Sequence, residues 1–322
     1  MSAFAPARWL PGRHLGTVFA SVARPLPRPR YRRERFDLDD GDFLDLDRID
    51  GPGPDAPLLV ISHGLEGSSR APYVRGLAAC AARRGLAVAA WNFRGCSGEP
   101  NRLIRQYHSG DTEDLDAVVR RLATEAPGRP LLLCGFSLGA NQIVKWLAER
   151  GPAVPSEVRA AAAVSTPFDL AACARALDGS GFWPWVYRER FLRRLRRKAL
   201  AKATEHPGRL DARSVRAART FAAYDEIVTA PLHGFAGAED YWTRSSSGPL
   251  VRAVRHPLLL LSAADDPLVP APSIPLDAAA ANPAVTLEVT PGGGHVAFVA
   301  GWPWRPRYWA EGRVLDFLAR FI

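Results

Sequence analysis

The sequence predicts an α/β fold in which helices cover both faces of a mainly parallel sheet. The first observation behind this prediction is a set of short apolar runs, at 58–62, 86–91, 131–136 and 160–165. Continuous apolar runs of this length are typical of strands buried on both faces. The second observation is that segments with helical periodicity separate these runs. Alternating strands and helices favour a parallel sheet, because the helices supply the crossover connections.

The region before the first of these strands contains an arm and a hairpin. Residues 1–34 are rich in Pro and Arg and contain several aromatic residues, which predicts an arm that packs on the core. Apolar and acidic residues then alternate over 34–38 and 43–47, on either side of Asp40-Gly41. This pattern around an Asp-Gly turn is a strong signal for a β-hairpin.

Amphipathic helices are predicted between the strands. Apolar residues recur with i, i+3, i+4, i+7 spacing in three stretches, which begin at Val74, Leu115 and Ala140. This spacing gives each helix one apolar face that can pack on the sheet. The last part of the chain adds two strands and a final helix, at 258–261, 285–290 and 312–322.

The alternation of strands and helices is interrupted in the middle of the chain. Residues 168–253 have the pattern of helices and loops and are rich in aromatic side chains. Because the strands on either side can belong to the same sheet, this segment is predicted to be a helical cap insertion rather than an independent domain. The core is accordingly assigned to 35–167 and 254–322.

Composition and charge exclude several classes of protein. Of 322 residues, 47% are apolar and 23% are charged, which argues against disorder and coiled coil. The apolar runs are far shorter than the roughly 20 residues that span a bilayer, which excludes a transmembrane protein. The net charge is +9, but the basic residues are spread along the chain and no nucleic-acid-binding motif accompanies them. We therefore expect no nucleic-acid partner.

Cysteine usage and the N-terminal stretch bear on the compartment. The four cysteines are scattered and form no CxxC pair, which disfavours a disulfide framework and favours a reducing compartment. An apolar stretch at 15–23 follows two arginines and resembles a signal peptide, but Gly16, Thr17 and Ser21 interrupt it. Export is therefore disfavoured, and we expect a cytoplasmic protein. A peripheral position at the inner membrane surface is compatible with this expectation.

The most informative motif is Gly-Phe-Ser-Leu-Gly at 135–139. It follows an apolar strand and precedes an amphipathic helix, which is the context of a nucleophile elbow. Glycines are needed at both ends of the motif because larger side chains would collide with neighbouring backbone. The N-terminus of the following helix favours the negative charge that develops in such reactions. Ser137 is therefore the predicted nucleophile.

A serine nucleophile needs a base that a carboxylate orients. After an elbow the expected chain order is serine, then acid, then histidine, with the last two in loops that follow late strands. His295 follows the strand at 285–290 and three glycines, and it is the predicted base. Asp265 and Asp266 follow the preceding strand. Their positions in the loop favour Asp266 as the acid, with Asp265 as the alternative.

A second motif predicts the oxyanion hole. His-Gly-Leu-Glu-Gly at 63–67 follows the first core strand, and a turn of this kind supplies one backbone N–H to the hole. The residue after the nucleophile supplies the other, so the candidates are the amides of Leu65 and Leu138. The chain lacks a P-loop, a GxGxxG fingerprint and metal-ligand spacing, and we therefore expect neither cofactor nor metal.

Two further features have more than one interpretation. The run 186–203 contains eight basic residues among apolar ones, which is typical of a solvated helix or of a surface that contacts an anionic membrane. An aromatic cluster near the C-terminus is either part of the core or the lining of an acyl pocket. The cluster consists of Trp302, Trp304, Tyr308 and Trp309.

Several longer motifs complete the picture. They are HGLEGSS at 63–69, NFRGCSGEPNR at 92–102, YHSGDTEDL at 107–115, GFSLGAN at 135–141, the Asp-Asp-Pro loop at 265–267 and Gly-Gly-His-Val at 293–296. With these motifs the chain resembles the YheT-like branch of the α/β-hydrolase superfamily, which is related to abhydrolase-domain acylglycerol and phospholipid hydrolases. The resemblance covers most of the chain and implies the α/β-hydrolase fold.

The resemblance also implies a function. It points to a serine hydrolase that forms an acyl-enzyme on carboxylic esters, either short-chain acyl esters or monoacylglycerol-like lipids. The catalytic triad of the family then falls on Ser137, His295 and Asp266 or Asp265. Thioesterase or acyltransferase activity would use the same residues and stays an alternative. A non-catalytic lipid-binding protein of the same fold is another.

Overall fold

Eight strands form a single sheet in the computed structural model, which describes residues 4–25 and 27–322. In chain order they are β1 (Arg32–Asp37), β2 (Phe43–Ile49), β3 (Leu58–Ser62), β4 (Ala87–Asn92), β5 (Leu131–Phe136), β6 (Val158–Val164), β7 (Leu258–Ala263) and β8 (Val285–Thr290). Across the sheet they lie in the order β1-β2-β4-β3-β5-β6-β7-β8. All neighbouring pairs from β4 to β8 are parallel, which confirms the predicted mainly parallel sheet.

The predicted hairpin forms one edge of this sheet. β1 and β2 pair antiparallel, with Asp37 opposite Phe43, and Gly41 adopts a φ of +87° in the turn between them. Such a φ suits glycine, which has no Cβ to clash with the backbone. β2 then pairs antiparallel with β4 and joins the hairpin to the parallel strands.

Helices pack on both faces of the sheet, as predicted. The helices are α1 (Gly12–Val22), α2 (Pro72–Arg83), α3 (Glu113–Glu125), α4 (Leu138–Arg150), α5 (Leu170–Asp178), α6 (Phe182–Glu205), α7 (Ala212–Ala217), α8 (Phe221–Tyr224), α9 (Ala230–His233), α10 (Ala238–Ser245), α11 (Leu276–Ala280) and α12 (Trp309–Leu318). α3 and α4 cover one face through residues such as Val118 and Ile143, and α2 and α12 cover the other through Leu77 and Val314.

The C-terminal region differs from the prediction. A small hairpin of β9 (Val299–Trp302) and β10 (Arg305–Tyr308) precedes α12, which begins three residues earlier than expected. The rings of Trp302 and Trp304 stack at the tip of this hairpin, with 65% and 79% of each residue exposed. These two residues are therefore not part of the core, and they line neither of the two cavities that contain Ser137. The interpretation of these two residues as core was wrong because a four-residue strand is too short to show a period.

α1 packs the N-terminal arm against this hairpin. Trp9 Nε1 donates a hydrogen bond of 2.9 Å to the Gly301 carbonyl oxygen, and its ring meets Phe19 edge-on. Ala7 and Ala20 are buried in the same small apolar cluster. Residues 1–3 and Leu26, which belong to the predicted arm, lie outside the described residues.

Residues 168–253 contain α5 to α10 and have a separate apolar cluster of their own. The 24-residue helix α6 runs through this segment and buries Leu192, Leu195 and Ala199. Asp169 begins α5 by accepting a hydrogen bond of 2.9 Å from the amide of Ala172, the usual role of an N-cap aspartate. The segment contacts the core through the loop after β3, which brings it close to the candidate site.

Two structural features are absent from the described part of the chain. No helix within residues 4–25 and 27–322 is long and apolar enough to cross a membrane. In the same residues no group of three or more His, Cys, Asp or Glu side chains is arranged to hold a metal ion. All four cysteines are free thiols.

Candidate active site

Ser137 lies in a sharp turn between β5 and α4. Its φ is +52°, in the left-handed region that side chains rarely adopt, and its amide donates to the Val164 carbonyl oxygen at 2.9 Å. The flanking glycines are required sterically. A Cβ on Gly139 would collide with the carbonyl oxygen of His63, and a Cβ on Gly135 would collide with the backbone of Gly139. The turn therefore presents the serine hydroxyl at the carboxyl edge of the sheet.

A chain of hydrogen bonds joins Ser137, His295 and Asp266. Nε2 of His295 lies 2.9 Å from Oγ of Ser137, and Nδ1 lies 2.8 Å from Oδ2 of Asp266. The Asp266 carboxylate also accepts from the backbone amides of Leu268 at 2.8 Å and Val269 at 3.0 Å. Because these bonds fix a buried carboxylate, its distance from the imidazole is set by the loop after β7.

Asp265 has a different contact. Its Oδ1 accepts a hydrogen bond of 2.9 Å from the amide of Gly294, next to the histidine. The structure thus brings Asp266, the favoured acid, to the imidazole and places the alternative, Asp265, against the backbone of the histidine loop. A short loop can separate the two roles because adjacent side chains point in different directions.

The histidine loop has two supports that the sequence analysis missed. Thr17 of α1 accepts from the His295 amide at 2.9 Å and donates to the Arg13 carbonyl oxygen at 2.7 Å. Ser165, which follows β6 with a φ of +53°, accepts from the Val296 amide at 3.0 Å. Neither residue lies in a recognisable motif. Thr17 is 278 residues away in the chain, so only the packing of α1 brings it to the site.

The candidate oxyanion amides belong to two elements that meet at the serine, the start of α4 and the loop after β3. Leu138 is the first residue of α4, where N–H groups have no acceptor within the helix. Leu65 belongs to the loop after β3, in which a Cβ on Gly64 would lie 3.1 Å from the Ser137 Cβ. Both leucines line a pocket that contains Ser137 and His295. Both candidate residues therefore border the space next to the serine.

His63 holds the base of this loop. Its Nδ1 lies 2.8 Å from the Gly64 carbonyl oxygen, and its Nε2 accepts from the Phe93 amide at 3.1 Å. Complete burial lowers the pKa of His63 to about 3, so the imidazole is neutral and can accept at Nε2. His63 therefore has a structural role and is not a second catalytic base.

Glu66 connects the loop after β3 to the helical segment 168–253. Its φ is +52°, and its backbone amide donates to the Tyr107 hydroxyl at 2.9 Å. The Glu66 side chain is also fixed, because its Oε1 accepts hydrogen bonds from the Tyr107 hydroxyl at 2.8 Å and from Lys198 Nζ at 2.8 Å. Arg194 Nη1 also donates to the Glu66 carbonyl oxygen at 3.2 Å. Two residues of α6 thus contact the loop that carries Leu65, a link that the sequence analysis missed.

Two cavities meet at Ser137. One has a volume of about 330 Å³ and is lined by α1, the loop after β3 and one side of α6. The other, of about 90 Å³, is mostly apolar and extends beneath the helical segment. Its apolar lining includes Leu65, Leu138, Leu170, Cys173, Ala174, Leu177, Phe191, Phe221, Trp242 and Leu268. The site therefore has a wider side of mixed polarity and a narrower, more apolar side.

The two loops of the family motifs at 92–102 and 107–115 hold each other and the hairpin. Arg94 donates to both carboxylate oxygens of Asp114, at 2.8 and 2.7 Å, and to Oδ2 of Asp42 at 3.1 Å. Asn101 Nδ2 also donates to Asp42, at 2.8 Å. These buried bonds give Arg94 and Asn101 a structural role away from the serine.

Comparison with known proteins agrees with this architecture. A family described as "alpha/beta hydrolase fold" matches residues 57–301. The Escherichia coli (strain K12) protein named "Putative esterase YheT" is 37% identical over 99% of this chain and 94% of its own length. A Saccharomyces cerevisiae protein named "Monoacylglycerol lipase" is 32% identical over 76% of this chain and 55% of its own length.

A solved structure provides a comparison of fold. The esterase Pf2001 from Pyrococcus furiosus has a TM-score of 0.59 and 19% identity, with 92% of this chain and 98% of that chain covered. At this identity the likeness concerns the fold alone. The match extends over nearly the whole of both chains.

Proposed function

The chain belongs to the α/β-hydrolase family and hydrolyses carboxylic esters, and we propose that it does so as a serine hydrolase through Ser137, His295 and Asp266. The observation that carries the proposal is the pair of hydrogen bonds at 2.9 and 2.8 Å that joins the three side chains. A nucleophile bonded to a base, with the base in turn bonded to a carboxylate, is the arrangement that activates a serine.

The proposed reaction has two steps. In the first, Nε2 of His295 removes the Ser137 proton while Oγ attacks the ester carbonyl, and the Leu65 and Leu138 amides hold the resulting oxyanion. The imidazolium, steadied by Asp266, then gives its proton to the departing alcohol, which leaves an acyl-enzyme. In the second step His295 deprotonates a water that attacks the acyl carbonyl, and the proton returns to Ser137 as the acid leaves.

The pockets support a small acyl group. An apolar cavity of about 90 Å³ next to the serine has room for a short acyl chain. The wider cavity of about 330 Å³ on the other side can accept the alcohol portion. Short-chain acyl esters and monoacylglycerol-like lipids fit this division, and one relative carries the name "Monoacylglycerol lipase".

We also propose that the segment 168–253 acts as a cap over this site and that α6 brings it to an anionic membrane. Phe182 and Trp185 are exposed at the start of α6, and Arg193 and Arg197 are exposed farther along the helix. Exposed aromatic rings followed by basic residues are typical of helices that lie at a lipid–water interface. Other basic side chains of the run point inward, since Arg196 and Lys202 are buried.

Covalent labelling tests the proposed chemistry. A fluorescent fluorophosphonate should label the wild-type protein and leave Ser137→Ala unlabelled, and the wild type alone should hydrolyse a panel of p-nitrophenyl esters. Circular dichroism of both proteins checks that the variant is folded. A folded wild type that takes no label and cleaves no ester would favour a non-catalytic lipid-binding protein. Labelling of both proteins would assign the nucleophile to another serine.

A further inference from the structure

The wider cavity beside the nucleophile has a cationic rim. Arg70 reaches it from the loop before α2, and Arg190 and Arg194 reach it from one side of α6. Ser137 and His295 line the same cavity. These three arginines therefore border the space that the proposed reaction gives to the alcohol portion of the substrate.

These arginines lack the acidic partners that surface arginines usually have. Among the described residues, none of the ion pairs involves any of the three. Glu66 is the only carboxylic acid among the described residues that line the cavity, and its carboxylate is already bonded to Lys198 and Tyr107. Arg194 donates to the Glu66 carbonyl oxygen at 3.2 Å, but among the described residues no carboxylate neutralises the positive charge of the rim.

The surroundings of Arg190 agree with this description. Burial and the nearby Arg194 both lower the pKa of Arg190, and the other charges that act on it belong to the tyrosines Tyr73 and Tyr187. Elsewhere on α6, Arg196 pairs with Glu189 and Lys198 pairs with Glu66, both at 2.8 Å, whereas Arg193 and Arg197 are exposed and do not line the cavity. The rim therefore differs from the rest of the helix in having cations that face a cavity.

We propose that Arg70, Arg190 and Arg194 form a subsite for an anionic group, a carboxylate or a phosphate, on the alcohol portion of the ester. Guanidinium groups bind both kinds of oxyanion through paired, charge-assisted hydrogen bonds. The apolar cavity on the other side of Ser137 then takes the acyl chain, so polarity alone orients the substrate. This inference rests on the proposed function, because it places the scissile ester at Ser137.

Three substrates with the same acyl chain test the subsite. They are 1-butanoylglycerol, 1-butanoylglycerol 3-phosphate and 3-butanoylglycerate, which are neutral, a phosphate and a carboxylate. We expect kcat/KM to be about tenfold or more higher for at least one anionic ester than for the neutral one, with the advantage shrinking as salt is added. Whichever anion is favoured identifies the source of the negative charge.

Variants of the rim provide the control. The double substitution Arg70→Gln and Arg190→Gln should bring the anionic-to-neutral ratio of kcat/KM close to one, mainly through KM. Arg193→Gln removes another exposed arginine of α6, one that does not line the cavity, and the ratio should stay as in the wild type. Because each ratio is taken within one protein, partial misfolding cancels.

A binding measurement separates this inference from the proposed reaction. Calorimetry with Ser137→Ala should detect the anionic esters at lower concentration than the neutral ester, whether or not the wild type turns them over. No turnover of any ester, combined with preferential binding of the anions, would overturn the proposed function and keep the subsite. Equal binding and equal kcat/KM for all three esters would overturn the subsite and leave the esterase intact.

Discussion

The site has two sides that are built in different ways. The strand side consists of the loops that follow β3, β5, β6, β7 and β8, and the helix side consists of α1 and residues 168–253. On the strand side the backbone sets the geometry: Ser137 and Ser165 have φ values of +52° and +53°, and glycines allow the turns to approach each other. On the helix side the contacts are made by side chains. They come from Thr17 of α1 and from Arg194 and Lys198 of α6.

This difference explains what each side contributes. Strained turns at strand ends hold reacting atoms within tenths of an ångström, which acyl transfer requires. Side chains from packed helices adjust size and charge without disturbing those turns. Changes on the strand side should therefore act on kcat, and most changes on the helix side should act on substrate choice, on KM or on stability.

The strand side predicts the largest effect. Asp266→Asn keeps the shape of the loop but allows the wrong tautomer of His295, and it should lower kcat by about 10⁴-fold. Asp265→Asn is the matched control, because it changes the neighbouring carboxylate. In the histidine loop that carboxylate is bonded to the Gly294 amide and not to the imidazole. We expect it to lower kcat less than tenfold. Steady-state kinetics on one p-nitrophenyl ester would reveal similar losses in both variants if the assignment of the two acids were wrong.

The link between the two sides predicts a smaller effect. Lys198→Met leaves the Glu66 carboxylate buried with only Tyr107 as a partner. The substitution should cost about 3 kcal/mol of unfolding free energy, and it should lower kcat through the Leu65 amide. The double variant with Glu66→Gln should recover most of the stability, since no charge is then left unpaired. Urea denaturation and kcat of the four proteins form a double-mutant cycle. Additive losses of unfolding free energy and of kcat would show that α6 and the loop after β3 are independent.

The contact of α1 with the histidine loop predicts a more modest effect. Thr17→Val keeps the shape of the side chain but removes the acceptor of the His295 amide, which should cost about 1 kcal/mol of stability and about tenfold in kcat. Thr124→Val removes a comparable hydroxyl, bonded to the Arg120 carbonyl oxygen on the far side of the core, and should leave kcat unchanged. Equal kcat for Thr17→Val and wild type would show that the arm does not position the base.

The same contrast decides what could be predicted from the sequence. Strand-end motifs are local, so Ser137 and the order of the later residues could be found from short segments and their spacing. Thr17 and Lys198 meet the site only through tertiary packing, and their own neighbourhoods look like ordinary helix. The exposed Trp302 and Trp304 were misjudged for a related reason, because composition alone favours burial of tryptophan and the short hairpin that exposes them leaves no period.

Acid unfolding compares the two sides in a single measurement. Burial lowers the pKa of His63 on the strand side, of His233 on the helix side, and of His108, a core residue whose ring packs against His233, to about 3. The unfolded chain binds these protons near pH 6.5, so each neutral histidine makes stability fall as pH decreases from about 6.5 toward 3, by up to about 1.4 kcal/mol per pH unit.

His233→Gln should therefore reduce the slope of unfolding free energy against pH by about one proton between pH 6.5 and 4.5. Asp225, with a pKa raised to about 6 by burial, acts in the opposite direction over part of this range, but its contribution is common to both proteins. Urea denaturation at several pH values gives the difference between variant and wild type directly. Parallel curves would mean that His233 is not held neutral and that the helix side opens to solvent before the sheet does.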